Sequence, residues 1–276
     1  MIGSDIKHRI NAANETVKIT RAMQLIATAK ITRAQKNLEG CRYFRTQLET
    51  ALYKMGKCDS VLCKPNGAQN VYYFVVADDK GLCGDYNNAV LAYAAETIGA
   101  LGADDKIFAV GHVTREFFKK KGIKTSSAHI EAMHHPFTED AKNIAEEIIA
   151  LYKDGKVGAV KIIYTLVGEK TADQTPHEET LLPLSYESDK NIDKHSLANP
   201  KSLESILNEY LWTKIYYATC NAFCAVHYKR MIAMQQATNN GAELSEELVV
   251  KYNRVRQESI TNELIDAAIS KQGRFV

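Results

Sequence analysis

Helix-breaking residues are almost missing from the two ends of this chain. All five prolines (Pro65, Pro136, Pro176, Pro183 and Pro200) lie between positions 65 and 200, and of fifteen glycines only Gly40 and Gly241 interrupt the stretches 5–55 and 201–272. Proline costs about 3 kcal/mol and glycine about 1 kcal/mol in a helix interior, so stretches cleared of both suit long helices. Long apolar runs are missing too. The uncharged run 215–226 has twelve residues, against the roughly twenty of a membrane span. The opening MIGSDIKHRI places charges where a secretory signal needs its apolar segment, so the chain reads as soluble, without a secretory or organelle address. Net charge is nearly absent: 35 Lys+Arg against 33 Asp+Glu leaves +2, too little to argue for nucleic acid as a partner. A 45% apolar composition argues against wholesale disorder. Six cysteines among 276 residues fit free thiols in a reducing compartment.

The small net charge hides an uneven distribution. Residues 1–57 carry 11 Lys/Arg and 4 Asp/Glu, residues 58–200 carry 15 and 21, and residues 201–276 carry 9 and 8. Breakers and charge therefore divide the chain alike: a basic N-terminal helix (1–57), an acidic α/β domain (58–200) and a C-terminal helix (201–276).

In the first part Ile6, Ile10, Ala13, Val17 and Thr20, and further on Ile31, Ala34, Leu38, Cys41, Arg45, Leu48, Leu52 and Met55, follow alternating steps of three and four. A 3.5-residue period sustained this long marks a coiled-coil seam. Ala and Thr are frequent in it between 20 and 34, which lets a partner helix approach closely, and Ser4 or Asp5 can cap the start. At 1.5 Å per residue, 5–56 and 203–272 would extend roughly 78 and 105 Å, too long for a compact domain. The simplest arrangement pairs the two ends as an antiparallel rod.

The middle alternates strands and helices. Val71–Ala77, Lys106–Gly111, a segment near 124–130, Val157–Val167 and Thr180–Tyr186 read as strands, and about 87–101, Thr114–Lys121 and Glu139–Lys153 as helices. That order implies a mostly parallel sheet with crossover helices. The fold class is α/β: a long antiparallel coiled coil of the terminal helices with a Rossmann-like α/β domain at its base.

Sites for chemistry are hard to find. The loop DDKGLCGDYNN follows a strand and precedes a helix, where phosphate-binding loops live, yet it lacks G-x-G-x-x-G and a G-K-[ST] ending. It reads as a tight turn presenting Lys80 and Leu82. His129, His134 and His135 lack the i, i+4 spacing of a zinc helix and have no cysteine nearby, so no metal or cofactor is expected. Cys58 and Cys63 frame a loop, and Cys220 and Cys224 lie one helical turn apart; all four read as structural thiols. No serine has a nucleophile-elbow context and no carboxylate or Cys/His pair stands out, so no catalytic residue is expected. The basic residues of the first helix surround it rather than form one stripe, with little aromatic interleaving.

Three segments resemble one family. RINAANETVKITRAMQLIATAKITRAQ is similar to the opening helix of the γ subunit of F-type ATP synthases. DKGLCGDYN resembles the family's D-R-G-L-C-G-x-x-N. YKRMIAMQQATNN and YNRVRQESITNELI resemble its two C-terminal motifs. The resemblance spans the whole chain. It implies a rotary central stalk without catalytic residues, turning inside a ring of three α and three β subunits, with its α/β domain beside ε on the membrane ring of c subunits. Coupling of ion-driven rotation to ATP synthesis or hydrolysis would then run through contact with the β subunits. Residue by residue, it implies contacts with β at Arg21, Met23, Gln24, Arg230, Arg256, Gln257 and Thr261 and at Lys80, Gly81 and Leu82. Tyr186 and Glu187 match the foot on the c ring.

The departures are specific. Lys80 stands where arginine is usual, and an ammonium cannot make a bidentate fork. Asp85 and Tyr86 replace the commoner glycine and leucine, 187–200 is longer and more polar than the usual link, and the chain ends SKQGRFV rather than in small apolar residues. Cys58 and Cys63 lie outside the place of the photosynthetic branch's dithiol insert, so no thiol switch of that kind is expected. The location implied is the cytoplasmic face of a bacterial membrane, reached through the complex, with the mitochondrial matrix face as the alternative. Two other functions compete: a coiled-coil adaptor with an α/β domain, and a nucleotide-dependent α/β enzyme with helical appendages.

Overall fold

Two long helices open and close the chain: α1 (Ile2–Met55) and α5 (Pro200–Gln272). The computed structural model describes residues 2–56, 60–102, 104–126, 138–187 and 200–272. The chain falls into two compact units, Met1–Ile26 with Met231–Val276, and Ala27–Arg230. Helix α1 is already under way at Ile2, so Ser4 and Asp5 sit in its first turn instead of capping it; Asp5 there complements the positive end of the helix dipole.

The first unit is an antiparallel helix pair. Ser245 donates to Asn14 (2.8 Å), Gly241 faces Val17, and the Thr20 and Thr238 hydroxyls meet at 2.8 Å, so partner numbers fall along α5 as they rise along α1. The 3.5-residue seam is the buried one: Ile6, Ala13 and Thr20 are buried and Ile10 and Val17 half-buried, and Met234 and Leu248 of α5 are buried too. A Cβ at Gly241 would stand 2.8 Å from Val17 Cγ2, so this glycine sets how closely the helices approach.

The second unit is built on a five-stranded sheet of order β3-β2-β1-β4-β5. Strand β1 (Val71–Val76) runs parallel to β2 (Lys106–Val110) and β4 (Ala159–Val167), and β3 (Thr125–Ser126) is parallel to β2. Helices α2 (Tyr86–Ile98), α3 (His112–Lys120) and α4 (Thr138–Lys153) make the crossovers, each within a few residues of its expected span. Helix α3 has no cap of its own at Gly111; Asp79 Oδ1, leaving β1, accepts from the His112 N–H at 3.1 Å.

One strand departs from expectation. The last strand is β5, Gln174–Leu182, antiparallel to β4, rather than Thr180–Tyr186. Its residues QTPHEE are polar and include a proline, which hides them from an apolar-run criterion. An edge strand tolerates both, because Pro176 can leave its missing N–H on the unpaired side. Strand β3 is two residues long, and the rest of the segment expected near 124–130 lies outside the described residues.

The uncharged run of the sequence finds its reason here. Apart from half-buried Tyr216, Ile215–Val226 is buried, as a helix segment without charge on any face can be. No helix among the described residues is long and apolar enough to cross a membrane. Asn221 Oδ1 accepts from the N–H of Val167, the last residue of β4, at 3.0 Å; Tyr86, opening α2, donates to the Ala222 carbonyl at 3.3 Å. Helix α5 thus covers the carboxyl end of the sheet beside β1, the crevice in which doubly wound folds hold their ligands.

Two glycine substitutions separate propensity from packing. A Cβ at Gly40, inside α1, meets nothing within 4 Å, whereas at Gly158 it would stand 2.0 Å from the Ala68 carbonyl oxygen. In urea unfolding, Gly40→Ala is expected to stabilise the chain by about 1 kcal/mol and Gly158→Ala to destabilise it by about 2 kcal/mol or more.

Candidate functional site

The turn after β1 is held at every corner. The Asp78 N–H donates to Asn87 Oδ1 at 3.0 Å, and Asp78 Oδ2 accepts from the Gly81 N–H at 3.2 Å and from Arg230 Nη2 of α5. Arg230 Nη2 also donates to the Gly81 carbonyl at 3.2 Å, and its Nη1 lies 3.0 Å from His227 Nδ1. The preceding residue of the same helix, Lys229, reaches Asp85 at 3.0 Å and holds the Asp85 carboxyl below its usual range, chiefly through that hydrogen bond. Two adjacent cations of α5 therefore grip the two ends of one loop. Between them Gly81 has φ +73° and Leu82 φ +56°, and Leu82 is 63% exposed. Lys80 is exposed as well, so the turn presents the two residues the sequence singles out. Lys30 of α1 also feels this charge: burial, then Arg230 and Lys80, push its pKa down against the pull of Asp78.

The remaining implied contacts lie apart from that turn. In the helix pair Arg21 is exposed, Met23 half-buried, and Gln24 hydrogen-bonds Gln235 of the opposite helix. Arg256, Gln257 and Thr261 are exposed on α5; with Ser245 opposite Asn14, they fall at or beyond the first turn of α1. They do not form one site with Met23. Tyr186 and Glu187 border an open groove of about 680 Å³ with Thr46, Thr50 and Tyr53, and the Tyr186 hydroxyl donates to the Gly56 carbonyl at 3.1 Å. His129, His134, His135 and Cys58 lie outside the described residues, and among the described residues no group of three or more His, Cys, Asp or Glu could hold a metal ion.

Sequence reasoning missed a polar cluster where α1 and α5 meet the sheet. Glu179 of β5, its side chain 11% exposed, takes Arg45 of α1 at 2.9 Å and buried Lys214 of α5 at 3.3 Å. Arg45 also bonds Glu49 (3.0 Å) and stacks 4.9 Å from the Tyr217 ring, Tyr164 donates to Glu179 (3.2 Å), Tyr210 donates to Glu49 (3.0 Å), and Lys214 donates to the Thr180 carbonyl (2.6 Å). Burial opposes charge on Arg45, but Glu179 and Glu49 outweigh it and raise its pKa; for Lys214 burial wins over Glu179 and lowers it. A signal existed: Arg45 occupies a seam position that apolar periodicity reserves for a core residue.

Glu179→Gln would leave Arg45 and Lys214 sharing no charge on β5, so urea unfolding is expected to show a loss of about 3 kcal/mol, the cost of breaking a buried pair. The buried cysteines give a pH prediction. Burial pushes the thiols of Cys41 and Cys220 up to about 12 and those of Cys83 and Cys224 up to about 11, from an ordinary 9.0. Because the folded values are raised, their contribution to stability is full below pH 9.0 and lost as pH climbs towards 11–12. Mass spectrometry after alkylation of the native chain at pH 8 (roughly a unit below the ordinary thiol value) should find half-buried Cys63 labelled well before these four.

Comparison with known proteins follows the same outline. A sequence model of the ATP synthase family, described as "ATP synthase", matches residues 3–269. The ATP synthase gamma chain of Clostridium botulinum is 31% identical, with 94% of both chains covered, and that of Halothermothrix orenii 32% identical, with 95% of both covered. Among solved structures, a chain of the Euglena gracilis mitochondrial ATP synthase OSCP/F1/c-ring assembly superposes with a TM-score of 0.66 at 14% identity, covering 98% of this chain and 95% of that one. A chain of the Tetrahymena thermophila mitochondrial ATP synthase central stalk and c ring gives 0.59 at 19% identity, covering 79% and 99%. These two share the fold. The match over nearly the full length shows that this chain belongs to the ATP synthase gamma-chain family.

Proposed function

We propose that this chain is the rotary central-stalk (γ) subunit of an F-type ATP synthase. Its helix pair turns inside a ring of three α and three β subunits, and the turning couples rotation of the membrane c ring to ATP synthesis or hydrolysis at the β subunits. The observation that carries this reading, given the family, is the outer surface of the helix pair. Ile19, Leu25 and Ile26 of α1 and Leu244, Val250 and Leu264 of α5 are all more than two-fifths exposed. Single exposed apolar side chains are ordinary, but here they come from both helices of a pair that buries only a narrow seam. Such a surface can touch an enclosing sleeve at many angles without a charge pair fixing one of them.

The physics of the role needs no active site of its own. One asymmetric pair inside a threefold ring gives each β subunit a different neighbour, so the three nucleotide sites hold different conformations. Rotation exchanges those environments, and the work passes through the difference in contact free energy between β states. Arg21, Met23 and Gln24, the exposed Arg256, Gln257 and Thr261, and the Lys80–Gly81–Leu82 turn are the surfaces that meet β. Tyr186 and Glu187 are the foot towards the c ring, beside ε. Residues 1–57 and 201–276 supply the helices and 58–200 the α/β domain. The complex brings the chain to the cytoplasmic face of a bacterial membrane.

Native mass spectrometry of the complex drawn gently from its own source, with ATPase activity on the same sample, tests the assignment. One copy with three copies each of two larger chains, and ATP turnover, is the expected result. A symmetric homo-oligomer without larger partners would return the adaptor reading. In the assembled complex Met23→Glu and Gln257→Glu are expected to leave hydrolysis and lower ATP-driven ion pumping about fivefold or more; unchanged pumping would remove these residues from the coupling surface.

A further inference from the structure

The family resemblance sets Arg230 among the contacts with β, but its surroundings put it to another use. The guanidinium side chain is 12% exposed and the Asp78 side chain 10% exposed. Arg230 Nη2 serves the Asp78 carboxylate and the Gly81 carbonyl together, while the same Asp78 oxygen accepts the Gly81 N–H. Both backbone groups of Gly81 are thereby tied to one ion pair. With Nη1 against His227, little of the guanidinium is left to offer a second protein.

The turn has reason to need such a brace. Leu82 is the one non-glycine residue with positive φ among the described residues, at +56°. A left-handed residue other than glycine costs about 1–2 kcal/mol, and an exposed leucine recovers none of it by burial. The cost is borne only if neighbouring contacts over-determine the backbone. On one side of Leu82 the Asp78–Arg230 pair holds Gly81; on the other, Asn87 bonds Cys83 (3.3 Å) and Lys229 holds Asp85. Lys30 and Lys80 add positive charge beside the Asp78–Arg230 pair.

We infer that Arg230 is a positioning residue of the rotor. It acts on this chain's own Asp78 to hold the Lys80–Leu82 turn in a single protruding form, so that the turn moves with α5. The inference rests on the central-stalk reading above. It differs from a direct contact in one decisive respect: Asp78 and Arg230 must act as a unit.

A double-mutant cycle in the assembled complex tests this. Pumping per ATP hydrolysed is measured for Asp78→Ala, Arg230→Ala and the double variant. The expected result is a similar loss for each single variant, about fivefold, with no further loss in the double. Arg230→Ala lowering pumping while Asp78→Ala does not, or two losses that multiply, would overturn the inference and return Arg230 to a contact with β. A second measurement needs no assembly. Hydrogen exchange at the Gly81 amide of the purified chain should rise about tenfold in both single variants, and unchanged exchange would also overturn it. If the wild-type complex hydrolyses ATP without pumping, the central-stalk reading fails, and Gly81 exchange still decides whether the brace exists.

Discussion

Strand ends β1 and β4 leave backbone groups and apolar side chains that must be covered, and the larger unit is organised around how that is done. In most doubly wound sheets this crevice is open and takes a ligand. Here Ile215–Val226 of α5 fills it, with Asn221 and Ala222 answering Val167 and Tyr86. The helix segment must be free of charge, since nearly all of it is buried, and it must be long enough in α5 to carry Lys229 and Arg230 up to the turn after β1. Covering the crevice thus converts the usual phosphate-binding position into a braced, protruding turn.

A second consequence is that two helices and a sheet are joined by charge as well as by packing. Glu179 sits between Arg45 and Lys214, one from each terminal helix. An ion triad this enclosed contributes little net stability compared with apolar residues of the same volume, because desolvation offsets most of the attraction. What it does supply is geometry: a guanidinium fork and an ammonium aimed at one carboxylate admit few alternative registers of α1 and α5 against β5. For a part that transmits torque, a single register matters more than a further kcal/mol.

Legibility in the sequence followed periodicity. The α1 seam from Ile6 to Met55 could be read because a 3.5-residue repeat is local, and burial follows it except at Ile10, Val17, Arg45, Leu48 and Met55, which are half-buried. The central strands were legible as continuous apolar runs because both faces are covered. Strand β5 was displaced because its edge position permits Pro176, His177, Glu178 and Glu179, and an apolar-run criterion passes over them. Lys80 and Leu82 were legible as turn residues from the glycines around them. That Leu82 itself would take the left-handed conformation was not, since nothing in its type favours it.

The sequence by itself determined the elements: helices where breakers are missing, buried strands where apolar runs stand between turns, an antiparallel pairing of the chain ends, and the motifs that mark the family. The elements and motifs depend on residues within a few turns of one another, and the pairing of the ends follows from the length of the two terminal helices, so the order of residues carries both. Only the tertiary structure decided which charges meet. Asp78 and Arg230 are 152 positions apart and Arg45 and Glu179 are 134 apart. No local pattern relates them, because their partnership is set by where α5 crosses the sheet. Whether an arginine of a family motif faces a partner or its own chain is a question of burial, and burial exists only once the chain has folded.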